Sequence, residues 1–391
     1  MVDSLDQFAR DKLAALAANQ LKRQLAPTQT AEAGWVMRGA RRLLSFSSND
    51  YLGLSQHPQV KAAAADAAML YGAGAGASRL VTGDHPLMGA LEQKLAALKG
   101  TQGACVFGSG YLTNAGLIPS LVGPDDVIFI DALAHACMWA GAKLAGTRVR
   151  IFRHNDMADL AALLRAQRGA GGRALIASEG VFSMDGDRAP VAELAALARD
   201  YDGWLLIDDA HGLGVLGDAG RGSVDAAGLS AADVPLQMGT LSKALGSYGG
   251  FVCASAPVVD FLKNRARPLV YSTGLPPASA AAALAAIDVM MAEPERRAKP
   301  LALARRFAQR LGLAPPQSPV VPLIIGAAGP ALQAMAVLEE AGFLVVAIRP
   351  PTVPEGTARL RLCFSAAHRE TDVMALADTI AARIPYQRWA A

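Results

Sequence analysis

The chain has little of what marks several classes of protein. Its 391 residues include only four cysteines, whose wide spacing fits neither a disulfide framework nor a metal site. Charged residues make up 18% of the chain, and a net charge of +3 is too small to predict a nucleic-acid partner. No apolar run reaches the length of about 18 residues that predicts a membrane span, and residues 1–24 resemble an amphipathic helix rather than a signal peptide. We therefore expect a cytoplasmic protein without a metal.

Apolar runs and helical stretches alternate in the middle of the chain. Hydrophobic residues make up 52% of the sequence, which is enough for a large core. Short apolar runs alternate with Ala- and Leu-rich stretches between residues 102 and 254, which predicts a mainly parallel sheet with helices on both faces. No helix separates the last two runs, so we expect the last strand to pair antiparallel. The seven predicted strands are Ala104–Phe107, Val127–Ile130, Val149–Phe152, Ala174–Ser178, Trp204–Ile207, Leu236–Met238 and Gly250–Cys253.

The character of the sequence changes at two places, which predicts three parts. Residues 1–45 resemble an arm with one helix, a linker and a short hairpin. Residues 46–275 contain the predicted sheet and are expected to form a large α/β domain. Residues 276–391 begin with a long helix and continue with short strands and helices, including a strand over Phe343–Ala347. This last part predicts a small α+β C-terminal domain.

One lysine, Lys243, stands in a Gly- and Ser-rich turn directly after an apolar run. Partial desolvation makes an amine nucleophilic near neutral pH. The hydroxyls of Thr240 and Ser242 and the neighbouring glycines suit the binding of an anion. The segment therefore predicts a Schiff-base lysine for pyridoxal phosphate, with phosphate-binding groups beside it. By itself it is equally consistent with a surface lysine in a Gly-rich loop.

Two further polar groups follow the buried run 204–207. Asp208 comes directly after this run, and His211 follows in the next turn. Ligands of open α/β sheets bind at the carboxyl ends of the strands, so both side chains are expected at the site. An anion at the pyridine nitrogen keeps pyridoxal phosphate an electron sink, a role that suits Asp208, while His211 can reach the phenolic oxygen. The alternative for Asp208 is a turn former or helix cap.

A Gly-containing turn connects the first strand to a helix. Gly110 and Tyr111 begin this helix, and a helix N-terminus offers unpaired N–H groups and the positive end of a dipole. Both amides are candidates for the phosphate, with the Thr240 hydroxyl added from the lysine turn. The alternative is an ordinary strand-to-helix turn.

These motifs, in this order, resemble the pyridoxal-phosphate-dependent α-oxoamine synthases of aminotransferase fold type I. The resemblance runs from about Phe46 to His368, which is most of the chain. It implies a large, mainly parallel sheet domain and a small C-terminal domain. The segments that carry it are Asn49–Leu54, Ser78–Gly83, His85–Leu87, Gly108–Tyr111, His135-Ala136, Glu179–Asp187, Asp208–Gly212, Thr240–Gly250, Arg349–Pro354 and Arg359–Leu362.

The resemblance adds two groups to the expected coenzyme site. His135 matches the histidine that stacks on the coenzyme ring, although a histidine at a helix start is more often a cap. Ser183 lies in a turn after a strand, where its hydroxyl can join His211 at the phenolic oxygen. Cys137 is a departure, since many relatives carry serine at this position.

Candidate substrate-binding residues lie near both ends of the chain. Arginine matches a carboxylate with two parallel hydrogen bonds, so we expect Arg361 to be a permanent clamp for the amino-acid carboxylate and Arg349 a mobile one. Thr352 and Asn49 resemble residues that contact the substrate. Arg23 resembles an arginine that touches the acyl substrate, and its alternative is a plain surface charge.

The resemblance implies an acyltransferase that condenses L-alanine with pimeloyl-CoA or a pimeloyl carrier protein. The products are 8-amino-7-oxononanoate, CoA and CO2, in biotin biosynthesis. Glycine C-acetyltransferase, 5-aminolevulinate synthase and serine palmitoyltransferase activities stay open, as do a plain aminotransferase and a non-catalytic coenzyme-binding protein. The resemblance also implies a homodimer, in which the neighbouring subunit completes the site near Ser78, Arg79 and Thr273-Gly274.

Overall fold

Three sheets organise the computed structural model, which describes residues 4–32, 34–167 and 171–386. Their strands are β1 (Gln29–Thr30), β2 (Trp35–Arg38), β3 (Arg41–Ser45), β4 (Gly103–Phe107), β5 (Val127–Asp131), β6 (Arg148–Phe152), β7 (Ala174–Glu179), β8 (Trp204–Asp208), β9 (Leu236–Thr240), β10 (Gly250–Ala254), β11 (Val320–Gly326), β12 (Phe343–Leu344), β13 (Val346–Ile348) and β14 (Ala358–Cys363).

Helices connect most of these strands. Proline occupies the first turn of several of them, where its missing N–H leaves no hydrogen bond unmade. The helices are α1 (Ser4–Ala18), α2 (Pro58–Tyr71), α3 (Pro86–Lys99), α4 (Gly110–Leu121), α5 (Ala136–Ala145), α6 (Met157–Gln167), α7 (Val191–Asp200), α8 (Ser223–Ala226), α9 (Ala256–Arg265), α10 (Arg267–Val270), α11 (Pro277–Ala292), α12 (Pro294–Leu311), α13 (Ala328–Glu340) and α14 (Glu370–Arg383).

The largest sheet has seven strands in the order β4-β10-β9-β8-β7-β5-β6. Strands β5 to β9 pair in parallel, and β10 runs antiparallel to both of its neighbours, β9 and β4. Both the mainly parallel sheet and the antiparallel return after the lysine turn are therefore confirmed. The sheet brings the carboxyl ends of its parallel strands to one edge.

Alternate residues of the sheet pack into cores on its two faces. Ile128 and Ile130 of β5 join one cluster, whereas Val127 and Phe129 join the other. This division follows from the two-residue period of a strand, and it explains why a central strand such as β5 is buried along its whole length. Helices cover both faces, as the alternating pattern predicts.

The chain divides into two structural units. One unit is Asn49–Leu301 and contains the seven-stranded sheet. The other combines Met1–Ser48 with Ala302–Ala391 and contains the two smaller sheets, β1-β2-β3-β12 and β11-β14-β13. The three-part division expected from the sequence stays a prediction, and the structure groups the N-terminal segment with the C-terminal one. None of the helices in the described part of the chain combines the length and hydropathy needed to span a bilayer.

Candidate active site

Two acidic residues end neighbouring strands of the large sheet. Asp208 closes β8 and Glu179 closes β7, and their Cα atoms are partners in the parallel register. Both side chains are buried, with exposed fractions of 4% and 2%. Lys243 lies in the turn after β9, the next strand of the sheet. The sheet thus collects two acids and the lysine at one edge, where α/β folds bind their ligands.

The amine of Lys243 contacts a buried histidine. Lys243 Nζ lies 2.7 Å from His211 Nε2, and Nδ1 of the same ring lies 2.6 Å from Tyr51 Oη. His211 is 4% exposed and Tyr51 is fully buried. The lysine is therefore held at one end of a chain of hydrogen bonds, unlike a surface lysine.

Two N–H groups donate to the Asp208 carboxylate. Its Oδ1 accepts the backbone N–H of Ala210 at 3.0 Å, and its Oδ2 accepts Nδ2 of Asn114 at 2.7 Å. Burial raises the pKa of Asp208, and the positive charge of Lys243 opposes that rise. A cation placed beside this carboxylate would favour its ionised form.

Glu179 has fewer hydrogen bonds to stabilise its charge than Asp208 has. Its Oε2 accepts the backbone N–H of Ser183 at 3.2 Å, while Oε1 has no hydrogen-bond partner among the described residues. Burial raises the pKa of Glu179 well above its usual value, and the charge of Asp208 adds to the rise. Glu179 therefore anchors the turn that carries Ser183, and it favours the protonated state.

The N-terminus of α4 supplies a candidate phosphate cradle. The Ser109 side chain caps the helix by accepting the N–H of Leu112 at 3.2 Å. Within the described ranges, the amides of Gly110 and Tyr111 donate no hydrogen bond to the protein. A Cβ added at Gly110 would lie 3.4 Å from Thr240 Cβ and Oγ1, so the helix start closely approaches the end of β9. Thr240 Oγ1 donates to Gly249 O at 2.9 Å and lies 2.7 Å from Ser242 Oγ.

His135 is the N-cap of α5. Its Nδ1 accepts the backbone N–H of Cys137 at 3.3 Å and lies 2.9 Å from Cys137 Sγ. Partial burial lowers the pKa of His135, against the raising effect of the Asp208 charge. His135 can therefore be both a helix cap and a residue of the site. The same ring caps α5 and lies close enough to Asp208 for the carboxylate charge to affect its pKa.

A second buried carboxylate supports the loop after β8. Asp209 is fully buried and forms an ion pair with Lys99 at 2.9 Å, and it also accepts the N–H of Ser223. Lys99 Nζ donates in addition to Arg221 O at 2.6 Å. A buried pair with its hydrogen bonds satisfied fixes geometry. This pair ties the segment next to Asp208 to the end of α3.

The predicted substrate residues fall into both units. Asn49 belongs to the unit with the sheet, and its Oδ1 accepts Tyr51 Oη at 3.4 Å. In the other unit, Arg23 Nη2 donates to Thr352 Oγ1 at 2.9 Å, and Arg349 donates to the carbonyl of Gln20. The N-terminal segment and the 349–354 loop therefore contact each other.

Arg361 differs from the other candidate arginines because it is buried on β14. Its exposed fraction is 7%, and its Nη1 donates to Cys363 Sγ at 2.8 Å. Arg349, by contrast, is half-buried. The predicted distinction between a fixed and a mobile clamp is consistent with this difference and stays a prediction.

Ion pairs and a backbone bridge hold the segment that is expected near a neighbouring subunit. Arg79 begins a π-helical turn, Arg79–Gly83, and pairs with Glu92 and with Asp84, the latter at 2.7 Å. Ser78 forms an isolated antiparallel bridge with Thr273. The bridge joins the two segments that the sequence interpretation placed at the edge of the site.

Several residues at the site were missed by the sequence interpretation. Asn114 and Tyr51 contact Asp208 and His211 from distant parts of the chain, so no local signal marks them. Glu179 was detectable, since it directly follows the predicted strand Ala174–Ser178 and such positions end at the same edge as Asp208.

Pyridoxal phosphate fits the residues that are present. The unpaired amides at the start of α4 suit a phosphate, and Lys243 supplies the amine for an aldehyde. The buried Asp208, whose pKa is raised, suits a cationic ring nitrogen. The fold and these groups define the class of protein, a pyridoxal-phosphate-dependent enzyme of fold type I.

The chain belongs to the aminotransferase class I and II family, whose model matches residues 41–380. It is 63% identical over 378 residues to a putative 8-amino-7-oxononanoate synthase of Caulobacter vibrioides, covering 97% of this chain and 98% of the relative. It is 60% identical over 381 residues to 8-amino-7-oxononanoate synthase of Methylobacterium radiotolerans, with 97% and 99% covered. The resemblance stated above is thereby confirmed.

Solved structures agree with this assignment. Serine palmitoyltransferase of Sphingomonas wittichii has a TM-score of 0.90 and 31% identity, with 98% of this chain and 97% of that chain covered. A structure described as SPT with PLP has a TM-score of 0.89 and 29% identity, with 96% of each chain covered. The fold and the coenzyme are therefore those expected from the sequence.

Proposed function

We propose that this enzyme condenses L-alanine with a pimeloyl thioester to give 8-amino-7-oxononanoate, with release of the free thiol and CO2. The relatives that are 56% to 63% identical and carry the name of this activity support the choice of substrates. The structural observation that carries the proposal is the contact of Lys243 Nζ with His211 at 2.7 Å, at the sheet edge that also holds Asp208.

Six side chains and the start of α4 would hold the coenzyme. Lys243 would bind its aldehyde, Asp208 its ring nitrogen, and Gly110, Tyr111 and Thr240 its phosphate. His135 would stack on the coenzyme ring, and Ser183 and His211 would contact its phenolic oxygen. When bound, pyridoxal phosphate supplies an electron sink that stabilises negative charge at the substrate Cα.

The residues around Lys243 suit the handling of one proton. In its free form, Nζ is the base that takes the Cα proton of alanine, and the contact with His211 Nε2 at 2.7 Å fixes the position of the amine. The buried Tyr51–His211 pair keeps this base away from bulk water. In the net reaction, Cα bonds to the acyl carbon, the C–S bond breaks, CO2 leaves and a proton returns to Cα.

The substrate carboxylates are assigned to the arginines. We propose that Arg361 and Arg349 bind the carboxylate of the amino acid, with Thr352 and Asn49 as further contacts, and that Arg23 contacts the acyl chain. The hydrogen bond from Arg23 to Thr352 supports a common role for these two residues. Whether the acyl group arrives on CoA or on a carrier protein is a matter for the assay below.

We also propose that the enzyme is a cytoplasmic homodimer. Large apolar side chains are exposed near the segments expected at the subunit boundary, including Val81 at 73% and Tyr271 at 74%. The free thiols of all four cysteines suit a reducing compartment. Light scattering of the purified protein tests the dimer, since a monomeric mass at micromolar concentration would contradict it.

The decisive assay measures thiol release with matched substrate pairs. We expect release with L-alanine and pimeloyl-CoA, and little with glycine and acetyl-CoA, glycine and succinyl-CoA, or serine and palmitoyl-CoA. The carrier-protein thioester is a parallel arm with alanine. An aminotransferase would instead convert the coenzyme to its amine form with a keto acid. Preferred turnover of another pair would replace the proposed substrates while keeping the family.

The Lys243→Ala variant tests the assignment of the base. We expect at least a thousandfold loss of thiol release, because the variant lacks both the attachment point and the base (on the order of 10³ or more). Borohydride reduction of the wild-type holoenzyme should label the peptide with Lys243. Lys94→Ala is the control, since Lys94 pairs at the surface with Asp288. Labelling of another lysine would refute the assignment.

A further inference from the structure

The tautomer of His135 follows from its place at the start of α5. A backbone N–H can only donate, and the N–H of Cys137 points to His135 Nδ1 at 3.3 Å. Nδ1 must therefore carry a lone pair in this contact, and the ring proton of a neutral imidazole must lie on Nε2. No hydrogen-bond partner of Nε2 is found among the described residues.

The thiol of Cys137 contacts the same ring nitrogen. Cys137 Sγ lies 2.9 Å from His135 Nδ1 and also 3.2 Å from Nδ2 of Asn114. The amide of Asn114 donates its other hydrogen to Asp208 Oδ2 at 2.7 Å. Because an amide nitrogen only donates, Sγ is the acceptor from Asn114. The S–H of Cys137 has two acceptors within reach, Nδ1 of His135 at 2.9 Å and Oδ2 of Asp208 at 4.0 Å, and the much shorter contact with Nδ1 makes His135 its acceptor.

The hydrogen bonds run outward from the Asn114 amide, on one side to Asp208 and on the other through Cys137 to His135. Asp208 accepts from Asn114, Asn114 donates to Cys137, and Cys137 donates to His135. Burial raises the pKa of the Cys137 thiol to about 12, and the charge of Asp208 adds to that rise, so the thiol keeps its hydrogen. Partial burial lowers the pKa of His135, which favours a neutral ring.

We propose that Cys137 is a positioning residue that holds His135 as the tautomer with hydrogen on Nε2. The side chains of Asp208 and Asn114 set the direction in which the thiol donates. His135 then offers a neutral N–H donor to a bound ligand, with its ring plane fixed at two points of α5. The role of this N–H donor toward a ligand rests on the proposed function. The position of the hydrogen on the His135 ring does not, because it follows from contacts within the protein.

Nitrogen-15 NMR of the histidine rings in the coenzyme-free protein tests the proposal. We expect His135 of the wild type to show a pyridine-type Nδ1 and a protonated Nε2. Cys137→Ala should raise the fraction with hydrogen on Nδ1 by about fivefold, as expected for the loss of one hydrogen bond between neutral groups. Cys137→Ser should restore the wild-type pattern, because a hydroxyl donates like the thiol.

His85 is the internal control. It also caps a helix, α3, and its Nδ1 accepts the N–H of Leu87 at 3.2 Å, with no thiol among its contacts in the described part of the chain. Its resonances should stay unchanged in both variants, and a shift of His85 with His135 would indicate a general structural change. A wild-type His135 protonated on Nδ1, or a Cys137→Ala variant with an unchanged pattern, would overturn the proposal.

Kinetics give a second readout that separates this inference from the proposed function. For the substrate pair that the enzyme turns over, kcat of Cys137→Ala should fall by roughly threefold to tenfold, with the coenzyme affinity nearly unchanged. Cys137→Ser should recover most of the rate. A fall in kcat that serine does not rescue would count against the donor role. Turnover of a different pair would correct the proposed function, while the NMR result would still decide the role of Cys137.

Discussion

Individual residues at the strand ends set the charge of the site. Asp208 and Glu179 are adjacent, buried and acidic, and burial raises the pKa of both. The positive charge of Lys243 opposes that rise at both carboxyl groups. The two buried carboxyl groups disfavour each other's ionised form. A ligand with a positive charge next to Asp208 would therefore stabilise its carboxylate, and a ligand with a negative charge there would not.

Replacement of Asp208 should weaken binding of the coenzyme as well as catalysis. In Asp208→Asn, the neutral amide cannot balance a cationic ring nitrogen, so we expect at least a tenfold rise in the Kd of pyridoxal phosphate (about 1.4 kcal/mol). Titration of the coenzyme-free protein, followed by absorbance, measures this change. Asp288→Asn is the control, because Asp288 is exposed and pairs only with Lys94 in the described structure. Wild-type affinity in Asp208→Asn would contradict the assignment.

Local sequence identified the site residues that follow strands and turns. Asp208, His211 and Lys243 were predictable because they directly follow apolar runs whose ends meet at one edge of a parallel sheet. The contacts of Asn114 with Asp208 and of Tyr51 with His211 depend on packing between distant segments. Such partners have no periodic or compositional signal, so only the folded chain places them.

Strand ends are also joined by a histidine away from the lysine. His154 follows β6 and contacts Asp131 at the end of β5, at 3.0 Å, and Asp187 in the turn after β7, at 2.8 Å. These two carboxylates raise the pKa of His154 to about 10, despite the opposing effect of burial. The charged ring thus binds three consecutive elements of the sheet together.

This group predicts a pH dependence of stability. The folded pKa of His154 lies above the unfolded value of about 6.5, so its contribution is complete below that pH and is lost as the pH rises through about 10. From pH 6 to pH 10, the free energy of unfolding of wild type should fall by about 1–2 kcal/mol more than that of His154→Gln, after allowance for the partly exposed ring. Urea unfolding at both pH values measures this difference. His85→Gln should behave like wild type, and equal losses in all three proteins would refute the prediction.

The loop after β8 tolerates no side chain at one glycine. Gly222 has a φ of +103°, and a Cβ added there would collide with the Asp209 carboxylate. We expect Gly222→Ala to lower the free energy of unfolding by about 2–4 kcal/mol. Gly89, on the exposed side of α3 with nothing near its missing Cβ, is the matched site. Gly89→Ala should be stabilising by about 0.5–1 kcal/mol, and similar effects of both changes in denaturant titrations would contradict the packing.

Elements with strong periodicity were predicted well, and short ones were not. The seven strands of the large sheet differ from their predicted bounds by one or two residues, because most of them are buried apolar runs between turns. The single strand expected over Phe343–Ala347 was wrong. That segment holds β12, which pairs with β3, and β13, which pairs with β14 in another sheet. Two residues of pairing leave no pattern that sequence alone reveals.

At the scale of the whole molecule, the expected coenzyme-binding groups all belong to one structural unit. Lys243, Asp208, His135, His211 and Gly110 lie in Asn49–Leu301, whereas the candidate arginines lie in the other unit. Binding of the coenzyme therefore stabilises the unit with the seven-stranded sheet directly. The units are formed from three stretches of chain, which is why composition along the sequence did not reveal how they group.

Addition of pyridoxal phosphate should raise the melting temperature of the coenzyme-free protein. At a concentration of about 100 times its Kd, binding adds about 2.7 kcal/mol, which corresponds to a rise of a few °C for a protein of this size. Pyridoxal without the phosphate should give a smaller rise, since the amides at the start of α4 then have no anion to bind. Differential scanning fluorimetry measures both shifts, and equal shifts would argue against the phosphate cradle.

The buried Lys99–Asp209 pair has a consequence for how this protein can change over generations. The Asp209 carboxylate and the neighbouring Ser223 hydroxyl occupy the space that a Cβ would need at three glycines, Gly180, Gly212 and Gly222. A substitution at any one of these positions is unfavourable unless the others change with it. The fold therefore accepts single substitutions near Asp208 only at side chains outside this cluster.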